Sequence, residues 1–347
     1  MKRLIMLFSV VAILSSACLL AERAVEGLSD SGPSPTAPQD SLQRTTATPE
    51  AIPKQPDVSE KLQLRLSVPK GQTYRMRFTT DQTITQMTEG QSAVTQQTLR
   101  FDYTFTSTQD AIAGNTVLDV TYDAIFYEQS GPLGSFSYDS ANPPAEVPLQ
   151  AKGFAAMLGK GFSMVVSPEG EVLEVQGVDQ MIEDVIADLG APDDPALASL
   201  IDSLKQQFGD EALKEGMGNI LVPFPIAALS VGDTWTTHQE LSVGFPMIED
   251  STWTLIARED GVATLGVSSI ISPDLQAEPM QLGGVTMLYA IGGTQEGTVQ
   301  VDERTGWTIA SDLVQSFSGE MTLTMGETEV KTPITLEATA RVETLGE

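Results

Sequence analysis

The sequence predicts a mainly β protein with a small helical insert: two related antiparallel halves form a curved sheet or half-barrel, covered by a short helical pair. Three observations carry this expectation. Long segments alternate apolar and polar residues with period two, the signature of strands with one apolar face. Two amphipathic helical stretches fall between two β-rich runs. Turn-and-strand patterns of the first run recur in the second.

The N-terminus reads as an address. Lys2 and Arg3 precede an uncharged apolar run from Leu4 to Leu14, followed by Ser15-Ser16-Ala17-Cys18. This is the three-part layout of an export signal. The single Cys of the chain follows small residues where bacterial lipoprotein signals are cut, so the pattern resembles a lipobox, with Ser15 where Leu is usual. Residues 1–17 are therefore expected to be a signal peptide and Cys18 a lipidation site that anchors the protein to a membrane. Ordinary signal cleavage with a secreted soluble product is the alternative. A third is an uncleaved anchor, since Leu4 to Ala21 is at the short end of a bilayer span. Residues 18–60 read as a disordered tether, because prolines at 34, 38, 49, 53 and 56 sit among Ser, Thr and Gln with few large apolar residues to bury.

Folded structure is expected over 61–347 as one domain, with halves at 61–178 and 225–347. In the first half Tyr74, Met76 and Phe78 share a face opposite Arg75, Arg77 and Thr79. Leu99, Phe101, Tyr103 and Phe105 form a second apolar row, and Leu118, Val120, Tyr122, Ala124 and Phe126 a third. Met321 to Met325 and Ile334 to Val342 alternate in the same way near the C-terminus. A polar opposite face suits an antiparallel sheet covered on one side only.

The halves echo each other in sequence. Gly71-Gln72-Thr73-Tyr74 matches Gly232-Asp233-Thr234-Trp235, and Tyr103-Thr104-Phe105 matches Trp253-Thr254-Leu255. Turns at Gly114 and Gly261 follow. Phe162 to Val166, the turn Pro168-Glu169-Gly170 and Val172 to Val175 match Val299 to Val301, the turn from Glu303 to Gly306 and Trp307 to Ile309.

The helical insert is expected at 179–215. Asp179 can cap a segment with apolar positions Met181, Ile182, Val185, Ile186 and Leu189. Asp194-Pro195 opens a second with Leu197, Leu200, Ile201, Leu204 and Phe208. Each apolar stripe needs a surface to cover, either as ordinary core or as a movable lid over an apolar cavity.

Composition excludes several functions. The chain of 347 residues has 19 Lys plus Arg against 47 Asp plus Glu, a formal charge of −28. Loss of residues 1–17 removes Lys2 and Arg3 and no acid, leaving −30. Such a surface repels a phosphate backbone, so no nucleic acid is expected as a partner. One Cys and one His exclude an internal disulfide and the Cys and His clusters of zinc or iron-sulfur centres. No metal and no cofactor are expected.

Catalytic signatures are missing too. His238 is the only imidazole, no Gly-x-Ser-x-Gly occurs, and Thr236-Thr237-His238-Gln239 reads as strand with a surface histidine. Gly159-Lys160-Gly161 lacks the rest of a P-loop and leads into a strand, so it reads as a turn. The carboxylate pairs Asp193 with Asp194 and Glu249 with Asp250 read as solvated acidic surface. Methionine is enriched, with 13 residues including Met157, Met164, Met181, Met217, Met247, Met280, Met287, Met321 and Met325. A Met-rich interior is compatible with a greasy ligand and equally with core filling.

The lipobox-like Cys18, Lys70-Gly71-Gln72-Thr73-Tyr74-Arg75, Gly161-Phe162-Ser163-Met164 with Gly170, and Pro225 followed by Val231-Gly232-Asp233-Thr234-Trp235 together resemble the bacterial family catalogued as domain of unknown function 6263, uncharacterised exported lipoproteins. The resemblance covers most of the chain after the tether. It implies architecture and location and brings no catalytic residues. The expected function is that of a non-catalytic envelope lipoprotein that binds an apolar, lipid-like molecule or a partner protein in the concave face of the sheet. A structural or interaction module of the envelope without a small ligand is the alternative, and a carboxylate-based hydrolase the least supported.

Overall fold

A computed structural model describes residues 61–346 apart from 89–90, 109–113, 133, 190–208, 219–220, 242–245, 277–278, 283–284 and 327. The signal segment, Cys18, the tether and the second expected helix from Asp194 to Phe208 lie outside the described residues.

The strands run in the order β1 (Thr73–Thr88), β2 (Gln91–Ser107), β3 (Thr116–Gly131), β4 (Gly134–Asp139), β5 (Gly161–Val166), β6 (Val172–Gln176), β7 (Thr234–Leu241), β8 (Met247–Glu259), β9 (Val262–Pro273), β10 (Met280–Leu282), β11 (Val285–Asp302), β12 (Thr308–Met325) and β13 (Thr328–Leu345). Helix α1 (Leu149–Met157) lies between β4 and β5, and α2 (Val178–Leu189) and α3 (Asp210–Gly218) lie between β6 and β7. All described strands belong to one 13-stranded sheet ordered β6-β5-β3-β2-β1-β13-β12-β11-β9-β8-β7, with β4 added beside β3 and β10 beside β11. Every pairing is antiparallel, and the path is open, with β6 and β7 at its ends.

The two halves share this order. The meander β1-β2-β3-β5-β6 is repeated as β7-β8-β9-β11-β12, and β13 joins the second meander to the first by pairing with both β12 and β1. Register makes the correspondence residue by residue. Gly71 N donates to Ser107 O at 2.7 Å and Ser107 N to Gln72 O at 2.9 Å; Gly232 N donates to Leu255 O at 2.8 Å and Leu255 N to Asp233 O at 3.0 Å. Ser107 therefore corresponds to Leu255, and Phe105 to Trp253. This is a two-residue offset from the pairing that sequence comparison gives, because β2 offers both Tyr103 and Phe105, each followed by Thr, as matches for the Trp253-Thr254 of β8. Further on, Val166 pairs with Val172 and Val165 with Glu174 across a register shift, as Val301 pairs with Thr308 and Gln300 with Ala310. A bulge inserts one residue and re-aims the strand, and it falls at the same step in both halves.

Alternation sorts most side chains as expected: one face carries the apolar rows and the other carries Thr, Asp, Glu, Arg and Lys. The third expected row is corrected in β3, where the register shift opposite Asp102 and Tyr103 reverses the phase, so Ile125 and Tyr127 are buried while Ala124 and Phe126 turn to the polar face, with the Arg100 guanidinium 4.7 Å from the Phe126 ring centroid. The first-half core packs Met76, Phe78, Phe101, Tyr103, Phe105, Tyr122 and Phe162 under Met157 of α1, Met181, Ile182 and Val185 of α2, and Leu213 and Met217 of α3. The second-half core joins Trp253, Leu255, Leu265, Val267 and Val299 to Val222, Phe224 and Leu229. Residues 61–68 thread between the two, with alternate residues buried: Leu62 and Leu64 enter the second-half core and Leu66 and Val68 the first. Leu66 N donates to Pro168 O and Ser67 N to Thr305 O, each at 2.8 Å, so this segment laces the equivalent turns of the halves together. Trp307 completes the joint: it belongs to the second half yet is buried in the first-half core, stacked on Tyr74 at 4.5 Å with Phe105 edge-on at 5.3 Å.

Two helical details differ from expectation. Gly177 O accepts from Met181 N at 3.0 Å and α2 begins at Val178, so Gly177 occupies the cap and Asp179 lies in the first turn. A carboxylate there still faces the positive end of the helix dipole. Helix α1 was not expected: its sequence LQAKGFAAM carries Gly153 at its centre and lacks a sharp apolar stripe. It forms because Pro148 pre-sets the first turn, accepting from Ala151 N at 2.9 Å, and because the first-half core holds Met157.

Candidate functional site: a polar belt on the inner face

The apolar face is not uniformly apolar. Following the cross-strand register from β7 to β3, Thr237, Ser251, Ser269, Gln295, Gln315, Ala338, Gln82, Gln97 and Gln129 stand in one transverse row. The row crosses both halves and is broken at Ala338 on β13. Below it lies an apolar layer drawn from strands alone, Ile84, Met247, Ile271, Met287, Tyr289, Ile291, Phe317, Met321, Ile334 and Leu336, which Ala338 of the row joins. Above it lie the cores of the two halves.

On the first-half side Gln82 Nε2 donates to Gln97 Oε1 at 2.5 Å, Gln97 Nε2 to Gln129 Oε1 at 3.0 Å, and Tyr127 Oη to the same Gln129 oxygen at 2.5 Å. On the second-half side Gln315 Nε2 donates to Gln295 Oε1 at 2.6 Å, and the Ser251 and Ser269 hydroxyls are 2.8 Å apart. The second network converges on Glu249 of β8. Its Oε1 accepts from Ser251 Oγ at 2.9 Å and Gln295 Nε2 at 3.4 Å. Glu249 is 1% exposed, and burial pushes its carboxyl above the ordinary range while the Ser269 and Ser251 hydroxyls oppose that shift. Its Oε2 and the Oε1 of Gln239, its cross-strand partner on β7, are both buried and find no donor among the described residues.

Glu249 corrects a sequence-based expectation. It was expected on solvated acidic surface beside Asp250, but neighbouring strand residues point to opposite faces, so Glu249 enters the interior and Asp250 stays outside. The two carboxyls do not form an acid-base pair. The signal lay in the phase of the strand, since Glu249 alternates in step with Met247, Trp253 and Leu255. Asp193 and Asp194 lie outside the described residues. His238 projects from the outer side of β7, 60% exposed, with Nδ1 at 2.6 Å from Asp250 Oδ1. Gly159 closes a turn at φ 71° and β5 starts at Gly161, as expected. Among the described residues no three His, Cys, Asp or Glu side chains converge on a metal position, and no described helix is long and apolar enough to cross a membrane.

Seven of the nine highlighted methionines fall on described side chains, and all seven, Met157, Met164, Met181, Met217, Met247, Met287 and Met321, are buried. The aromatic cluster beside them includes Tyr103 and Tyr122, ring centroids 4.8 Å apart. Burial pushes both phenols upward, so they act as neutral core residues. A cavity of about 30 Å³ is lined by Thr237, Gln239, Ser251 and Trp253 against Leu221 and Leu313. A concavity of about 560 Å³ instead opens on the polar face, lined by Asp81, Thr83, Gln96, Thr98, Glu128 and Glu337.

No curated protein matches this chain. Among solved structures, lipovitellin, described under lipid-protein interactions in lipovitellin, is similar over 80% of this chain and 25% of its own, with 8% identity and a TM-score of 0.41. This chain thus spans about a quarter of that lipovitellin chain. The beta domain of the Bordetella autotransporter Brka is similar over 78% of this chain and 100% of its own, with 6% identity and a TM-score of 0.21. Residues 113–308, more than half of the chain, match the family of unknown function DUF6263, and the chain belongs to that family.

Proposed function

We propose that this is a non-catalytic binding protein of the bacterial cell envelope, exported, held to the membrane through a lipid on Cys18, and able to take an apolar, lipid-like molecule against the inner face of its sheet. The observation that carries the reading is the strand-built layer around Met247, Met287, Met321 and Phe317, to which no described helix contributes a member. Unbranched thioether side chains repack around irregular apolar partners, and a wide one-sided sheet supplies a wall for an elongated one. The layer is closed, with each member at most 4% exposed, so binding requires its side chains to repack around the ligand. The opposite facing of Glu249 and Asp250 supports a non-catalytic role.

A second reading, an envelope interaction module without a small ligand, is favoured by the small size, about 30 Å³, of the cavity between the second-half core and the belt and by the larger concavity on the polar face. Purification from native membranes, organic extraction and mass spectrometry separate the two. A co-purifying apolar molecule, together with saturable N-phenylnaphthylamine fluorescence of the delipidated protein, is expected. No extracted molecule and no saturable signal, with in-cell crosslinking to one defined envelope protein, would replace the first reading by the second. Palmitate labelling lost in Cys18→Ser tests the anchor, and retained labelling would refute it.

A further inference from the structure

Two acceptors without a donor lie side by side in the interior. Glu249 Oε2 and Gln239 Oε1 belong to directly paired residues of β7 and β8 on the same face, where opposed Cβ atoms stand about 5 Å apart. Buried polar atoms are nearly always hydrogen-bonded. Among the described residues the one Lys or Arg at an inner-face register position of β7, β8, β9, β11 and β12 is Arg258, opposite buried Ala263, and its guanidinium donates to both Glu303 carboxylate oxygens at 2.8 Å, so these strands supply no cation to the pair. The other Glu249 oxygen is held by Ser251 and Gln295, which fixes the carboxyl plane; Oε2 donates to Gln239 when the carboxyl is neutral, and when it is ionised the pair needs a donor from outside the network.

The cavity that Gln239 shares, beside Glu249, bounds the size of a partner reaching the pair from that side. Gln239 and Ser251 line it, and its 30 Å³ is walled elsewhere by Leu221, Val222, Trp253, Val299 and Leu313. One hydrogen-bonding group about the size of a water fits such a space; a phosphorylated headgroup does not. We infer that Glu249 and Gln239 form a headgroup site that selects amphiphiles ending in a small hydrogen-bond donor, a hydroxyl or a protonated amine, with the apolar body lying along the Met-rich layer. This rests on the apolar-ligand reading above and adds the headgroup class to it.

The test uses the delipidated full chain and three probes with the same 18-carbon tail, oleyl alcohol, oleylamine and methyl oleate, each displacing N-phenylnaphthylamine. The alcohol and amine are expected to bind about tenfold or more tightly than the ester, the scale of one buried hydrogen bond to a charged or polar acceptor. In Glu249→Gln the new amide can donate to Gln239, so the preference collapses while methyl oleate binding stays, which also shows that the variant folds. Gln239→Leu is expected to weaken the preference in the same direction. Equal binding of all three probes to the native protein, or a preference that survives Glu249→Gln, overturns the headgroup site and leaves the apolar-ligand reading standing. Binding of none overturns both.

Discussion

Trp307 is the residue whose removal most directly tests how the two halves are joined. It precedes β12 in the second half but is 1% exposed within the first-half core. It stacks on Tyr74 with an interplanar angle of 9°, meets Phe105 edge-on, and its indole Nε1 donates to Met76 Sδ at 3.4 Å. Trp→Ala substitutions in cores cost about 3 to 5 kcal/mol through lost burial and the cavity left behind. Aromatic pairs of this geometry add about 0.5 to 1.5 kcal/mol beyond area. Because the neighbours are paired strands that cannot collapse into the gap, Trp307→Ala is expected to cost about 4 kcal/mol. With a urea slope of about 3 kcal/mol/M, that lowers the midpoint by about 1.3 M. The remaining tryptophans, Trp235 and Trp253, are both in the second half, so their fluorescence reports that half while far-UV circular dichroism reports the whole sheet. Both probes should shift together. A loss under about 1 kcal/mol, or a fluorescence transition that stays in place while the dichroism moves, would show that Trp307 does not couple the halves.

Two further substitutions probe backbone and charge. Gly170 and Gly232 both have positive φ, at 82° and 93°, but a Cβ on Gly170 would sit 2.1 Å from Val222 O whereas Gly232 has open space. Gly232→Ala should therefore cost about 1 kcal/mol from backbone strain alone, and Gly170→Ala distinctly more; equal costs in denaturation would sink this account. Glu249 is held neutral more readily in the folded than the unfolded chain. Between the ordinary carboxylate range and its raised folded value, the native state keeps a proton that the unfolded state has released. Its contribution to stability thus declines as pH rises through that window and is constant below it. Glu249→Gln should flatten this part of the profile, and identical pH slopes for the two proteins would contradict it.

Much of the fold could be read from period and phase. Rows such as Met76 with Phe78, or Phe101 with Phe105, announce one buried face because adjacent strand residues cannot share a side. Partner choice was not legible in the same way. The pairing of β1 with β13 brings Arg77 opposite Glu343, a contact between chain ends that no local pattern encodes. Local chemistry also misleads where repetition is short. The repeated aromatic-Thr pairs of β2, at Tyr103 and at Phe105, both match Trp253-Thr254 of β8, and only the hydrogen bonds of Ser107 and Leu255 decide between them. Helix α1 is stabilised by what it covers more than by its own sequence. The polar belt was legible in principle, since Gln82, Gln97, Gln295 and Gln315 alternate in step with core residues. Glutamine reads as a surface residue unless phase is followed across several strands, which hides the belt from any single strand's pattern.

The belt carries an energetic cost that points back to binding. Where its amides and hydroxyls pair, as in Gln315 with Gln295 or Ser251 with Ser269, burial is close to neutral. The same row then discourages register slips, since moving a strand by one residue exchanges every inner side chain for an outer one. Glu249 is different. An apolar residue in step with Met247 and Trp253 would remove a buried carboxyl and an unfilled acceptor, each destabilising by about 1 to 3 kcal/mol, with no loss of alternation. Register alone is served by the glutamines and serines, so it gives no reason for an acid at this position. A role in which the acid meets a donor from outside the chain does give one, and local violations of packing logic are expected where function sets the residue.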